Sequence, residues 1–183
     1  MFVAFFALAS AAPSGSVATN FDGYKHGEMT WVGSITPGGP NVQLNGTAPP
    51  IVAQILELNP EWQPATAMKR SIERRQWRDD GACGLVAGEV ANAGATVDNI
   101  NYLRAIGEAA CGVDGHTCVT MICNHNSALE LCNNNDYHFQ TNCRYLAEGA
   151  AQLYNHCSQR DFKGQRFDTG NFNIVVRRGN CPG

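Results

Sequence analysis

Hydrophobic positions along this chain change period several times, and each change marks an element. MTWVGSI (Met29–Ile35) alternates closely enough to be a strand, and NVQL (Asn41–Leu44) reads as a second. Ile51, Ile55 and Leu58 then share one helical face. That helix has Thr47 as a candidate cap and Pro49-Pro50 near its first turn, and Pro60 stops it. Further on, GLVAGEV is a candidate opening strand. Val97, Ile100, Leu103 and Ile106 recur at helical spacing in VDNINYLRAIGEAA, with Gly107 weakening the last turn. HTCVTMIC, the polar turn NHNS and SALELCN predict a β-hairpin. Cys143, Leu146, Ala150, Leu153 and Cys157 line one face of a second helix, capped by Thr141 or Asn142. FNIVVRR is the last strand. The order (β)-α-β-β-α-β predicts an α+β fold: a small disulfide-rich α/β sandwich, its antiparallel sheet packed by two helices.

Composition changes this picture at both ends. MFVAFFALASAAPSG holds an apolar run from Phe2 to Ala9 and then Ala9-Ser10-Ala11. That is the apolar core and small-residue cleavage site of a secretory signal, too short to span a bilayer. All eight cysteines lie between Cys83 and Cys181: Cys83, Cys111, Cys118, Cys123, Cys132, Cys143, Cys157 and Cys181. In an oxidising compartment an even number reads as a disulfide framework, and spacing alone leaves the pairing open. Buried thiols and a zinc site near His116, Cys118, Cys123 and His125 are the competing readings. No C-x-x-C pair supports zinc, and export favours oxidation. The net charge of -3 supplies neither a nucleic-acid footprint nor a basic membrane tether. No nucleic-acid partner, stable membrane insertion, metal or cofactor is expected, and a monomer is.

KRSIERRQW (Lys69–Trp77) lies on the border between the cysteine-free and cysteine-rich halves. Its two dibasic pairs, Lys69-Arg70 and Arg74-Arg75, are either a solvated linker or a kexin-type processing site. The signal, the composition border and the duplication favour processing. The chain then divides into a signal peptide (1–12), a pro-segment (13–75) and a mature domain (76–183), with Gln76 as a new N-terminus that can cyclise. Asn45-Gly46-Thr47 is the one N-glycosylation sequon, on Asn45, and would leave with the pro-segment. The apolar face of the pro-segment helix has nowhere to go unless it packs on the mature part.

CGVDGHTC, ICNHNSALEL, CRYLAEGAAQLYNHC and GQRFDTGNFNIVVRRGNC follow one another from Cys111 to Cys181. In their layout they resemble the virally encoded killer toxin of smut fungi and its cellular relatives, with the related necrosis-associated secreted fungal effectors. The likeness covers about Asp98 to Cys181. It implies the pairing Cys83–Cys157, Cys111–Cys181, Cys118–Cys132 and Cys123–Cys143, the last stapling helix to sheet. It also implies calcium-channel block through a lysine before the hairpin cysteine. Met121 stands at that position, and a thioether cannot act as a cation does. Arg177-Arg178 reads as a solvated end of the last strand.

Two function classes follow. One is a secreted, non-catalytic effector or toxin-like protein that binds a host or competitor protein or a cell-surface component. The other is a small ribonuclease-like hydrolase using a His/Glu acid–base pair, with His125 and Glu130 as the pair at the hairpin. His116, His138, His156, Glu148 and Asp168 complete the titratable candidates. No G-x-S-x-G, H-E-x-x-H or P-loop motif is present.

Overall fold

The computed structural model describes residues 23–64, 76–157 and 160–181. The signal peptide, Lys69, Arg70, Arg74 and Arg75 lie outside the described residues. The fold is a disulfide-rich α+β one, with two sheets and three helices among the described residues where the sequence predicts one sheet and two helices in the mature part.

The first sheet is mostly antiparallel, in the order β1 (Lys25–Gly27), β6 (Thr117–Asn124), β7 (Ser127–Asn133), β10 (Phe172–Arg177), β9 (Gly164–Phe167) and β4 (Ala82–Cys83). Its centre is the predicted hairpin. His125 and Asn126 both adopt positive φ at the tip, as a tight two-residue turn requires. The second sheet runs β3 (Asn41–Asn45), β2 (Thr30–Ser34), β5 (Ala110–Val113) and β8 (Phe139–Asn142).

Three helices complete the fold. In α1 (Ala48–Leu58), Ile51 and Ile55 are buried, whereas Leu58 is 68% exposed and is not part of the packing face. α2 (Ala93–Ala105) begins earlier than its apolar period suggests. Asn92 caps it, its side chain accepting from the Ala95 amide at 2.9 Å. Its first buried turn is polar: Thr96 bonds Ser127 Oγ at 2.8 Å, and Asn99 donates to the Ser127 carbonyl at 2.9 Å. α3 (Cys143–His156) is capped by Asn142, which accepts from the Arg144 and Tyr145 amides. Leu146, Ala150 and Leu153 face inward as its period requires. Arg104 of α2 clamps Glu148 of α3 with two bonds of 2.9 and 3.0 Å.

One core draws on both sheets and all three helices. The described part of the segment assigned as pro-segment belongs to it. Met29 and Trp31 of the β2 region and Ile51 and Ile55 of α1 are fully buried beside Val113, Met121 and Leu131. β2 pairs antiparallel with β5, placing Trp31 opposite Cys111, and β1 pairs parallel with β6. The apolar face of α1 therefore packs on the rest of the molecule. Full burial of each of these four side chains is worth about 1.5–3 kcal/mol.

GLVAGEV is not a strand. Gly84 and Gly88 take positive φ, and residues 84–91 cross the outer face of the first sheet as a strap. Val86 packs there on Val175 and the Cys118–Cys132 bridge. The GQRF-to-VVRR stretch folds back at Asp168–Asn171 into two strands, β9 and β10.

The structure contains the disulfides Cys83–Cys157 and Cys118–Cys132, as the resemblance implies. It replaces the other two with Cys111–Cys143 and Cys123–Cys181. The reason is β5. Cys111 sits in a strand whose neighbour β8 runs directly into α3, so Cys111 opposite Thr141 lies beside Cys143. Helix and sheet are stapled there, while Cys123 at the hairpin end takes the tail cysteine.

Non-reducing digestion of the native protein is expected to release Cys111–Cys143 and Cys123–Cys181 peptides. Replacing Cys111 and Cys143 together by alanine is expected to cost about 2–5 kcal/mol, read by denaturant unfolding.

Candidate functional site

The β5–β6 turn and the β7–β8 loop meet at one end of the molecule and bring Asp114, His116, Asp136, Tyr137 and His138 together. Asn133, buried at the end of β7, organises them. Its Nδ2 donates to the carbonyls of Val113, Asp114 and Tyr137, the last at 2.8 Å. Its Oδ1 accepts from both the amide and the side chain of Asn135. Asn135 Nδ2 in turn donates to the Gly170 carbonyl at 3.0 Å, tying this loop to the β9–β10 turn. A side chain at Gly115 would lie 2.5 Å from the backbone of Asp136, so only glycine allows the two loops to close. His116 itself has φ 51.

Two His–Asp pairs stand on this base. His138 Nδ1 is 2.8 Å from Asp114 Oδ1, and His116 Nε2 is 3.0 Å from Asp136 Oδ1. Both aspartates are largely exposed, and Tyr137 projects with them. Below, Tyr24 Oη donates to Asn134 Oδ1 in a short bond, and burial pushes its phenol above the ordinary value. The sequence reading names both histidines but not their partners; the loops that join them are separated along the chain, and only the β5 register brings them together.

His125 and Glu130 are not brought together. His125 is exposed at the hairpin tip. Glu130 lies on the outer face of β7, where Arg177 of β10 grips it with bonds of 2.8 and 2.9 Å. The side chains of this pair are only 4% and 7% exposed. Arg177 is accordingly no solvated strand end; it lies beneath the strap at Gly88, and Arg178 pairs with Glu89. The other two carboxylates are also engaged. Glu148 holds Arg104, whose guanidinium is raised above its ordinary value chiefly by that hydrogen bond. Asp168 accepts from Tyr145 Oη at 2.5 Å and from the Gly170 amide at 2.7 Å. His156 is exposed at the end of α3, and Met121 is fully buried in the core. Cys118 and Cys123 are both in disulfides, so the thiolates of the zinc alternative are not available. Among the described residues no group of three or more His, Cys, Asp or Glu could hold a metal ion. Nor is any helix among them long and apolar enough to cross a membrane. Asn45 is exposed at the end of β3.

Glu130→Ala would strand the Arg177 guanidinium in a dry site. A loss of about 3–5 kcal/mol is expected by denaturant unfolding. Replacing both by apolar residues of similar volume is expected to cost far less.

Nothing matches this chain among curated proteins, and nothing among solved structures. Residues 78–178 match the profile of a domain of unknown function, DUF8794, over more than half of the chain, so the protein belongs to the DUF8794 family.

Proposed function

We propose that this protein is a secreted, non-catalytic, effector- or toxin-like protein of fungal type. It is released by kexin-type cleavage and acts by binding an extracellular, host or competitor target. The observation that carries the reading is the loop end around Asn133. Its backbone is fixed by buried amide bonds, while two imidazoles, two carboxylates and a phenol face outward. A preorganised, exposed polar and aromatic surface loses little freedom when a partner docks. The four disulfides fit an oxidising destination and a harsh medium.

Processing has its own support. The chain is anchored immediately after Arg75. Gln76 exchanges bonds with Thr169, and Trp77 stacks on Tyr145 with ring centroids 5.3 Å apart. The family match likewise begins at residue 78. The likeness to killer toxins and necrosis-associated effectors agrees with secretion. The buried Met121 supplies no channel-blocking cation.

One observation favours the hydrolase reading in an altered form: each imidazole is oriented by an aspartate through one ring nitrogen, as a general base is. His125 and Glu130 take no part in it.

The test uses native secreted protein. The chain that carries the cysteines is expected by mass spectrometry to begin at Gln76, with no alkylatable thiol. Binding to plant leaf cells or competing fungal cells is expected to fall roughly tenfold or more in Tyr137→Ala and His138→Ala, with melting unchanged. RNA or polysaccharide cleavage that vanishes in His116→Ala and His138→Ala would replace this reading with the hydrolase.

A further inference from the structure

No cysteine precedes Cys83, so no disulfide joins residues 23–64 to the rest. Yet that segment is knitted into the molecule at three levels. Its backbone pairs with β5 over Thr30–Val32 and with β6 over Lys25–Gly27. Its side chains Met29, Trp31, Ala48, Ile51 and Ile55 are buried in the common core. Its own pieces are bound to one another: β2 pairs with β3, Asn59 Nδ2 donates to the Ile35 carbonyl at 2.8 Å, and Trp62 Nε1 donates to the Ser34 carbonyl at 3.2 Å. Trp62 also packs edge-on against Trp31, with centroids 6.3 Å apart.

We infer that residues 23–64 form a docked subunit: once the chain is cut between residues 64 and 76, the two pieces stay together as a non-covalent two-chain protein. The inference rests on the processing reading only for where the cut occurs. The docking site is the β5 edge with the apolar floor beside it. Without β2, the Ala110–Val113 backbone would present an unpaired edge, and the walls around Trp31 would open to water. The family match contains β5 but neither β2 nor α1, so the segment lies outside the residues matched. The released piece would not diffuse away as a spent leader, and the sequon at Asn45 would remain on the finished protein.

A cut also changes the thermodynamics in a measurable way. Unfolding of one chain is independent of concentration, whereas unfolding of two associated chains is not. Purified full-length protein treated with a kexin-type protease is expected to elute as one native peak holding both pieces in equal amounts. Under denaturing, non-reducing conditions the pieces should separate. The Tm of the cut protein should fall on dilution, and that of the uncut protein should not. Trp31→Ala in the cut protein is expected to weaken association more than about a hundredfold. Elution of the small piece apart from a still-folded large piece overturns the inference. If the protease does not cut, the processing reading fails by itself. A variant carrying an unrelated protease site in place of residues 69–75 then gives the same measurement, with the same two outcomes.

Discussion

A four-residue strand, Ala110–Val113, has to satisfy neighbours on both sides at once. On one side its backbone pairs with β2, and on the other with β8. At its centre Cys111 is tied to the first residue of α3. This fixes the distance between α3 and the second sheet, and so the height of the core that α2 and α3 close against the first sheet. It also fixes the loop end, because the turn that leaves β5 carries Asp114 and His116 to the loop that enters β8. Such a strand tolerates little change: all but one of its side chains are buried, and His138 lies within 2.8 Å of where a Gly112 Cβ would be.

Buried charge follows the same economy. Glu130 and Arg177 occupy the outer face of the first sheet at neighbouring positions on β7 and β10, where burial would be prohibitive for either alone. The strap at residues 84–91 makes the site dry and is itself held by polar bonds to its surroundings. Lys163 Nζ donates to the Gly88 carbonyl, the Arg178 amide donates to Glu89, and Ala91 pairs with Phe162. The strap is thus held by bonds other than those of the charge pair it covers. That explains why a stretch rich in apolar residues leaves Leu85 and Val90 exposed: its backbone, more than its side chains, makes the contact.

Long, strongly periodic elements were legible in the sequence. The β6–β7 hairpin, α3, β10, β2, β3 and α1 follow from apolar spacing and turn chemistry, because each buries one continuous face. The short strands β5, β8 and β9 were not. ACGV, FQTN and GQRF have no period of their own, and they are strands because a neighbour offers a ladder. β5 sets Cys111 beside Cys143, and there the structure departs from the two bridges that the resemblance implies. The start of α2 escaped for a related reason, since Thr96 and Asn99 are buried through hydrogen bonds to Ser127 and contribute nothing to an apolar period. Both histidines of the candidate site were visible as residue types. The asparagines that position them look like ordinary turn residues until Asn133 is seen to serve three carbonyls.

Both ends of the hairpin carry a disulfide, but the chain beyond each is held differently, and this bears on which end is suited to recognition. At the His125–Asn126 end, a tight turn is closed by the Cys123–Cys181 bridge to the tail, with Gly179 pressed against the Cys123 sulfur. That end is fixed covalently and presents few groups. At the other end the Cys118–Cys132 bridge joins the two strands, and the loops beyond it are held by side-chain amides, which leaves the intervening residues free to direct imidazole, carboxylate and phenol groups outward. Amide anchoring holds the loop backbone without consuming its exposed chemistry, so the surface around Asn133 combines a defined shape with a varied set of hydrogen-bonding groups.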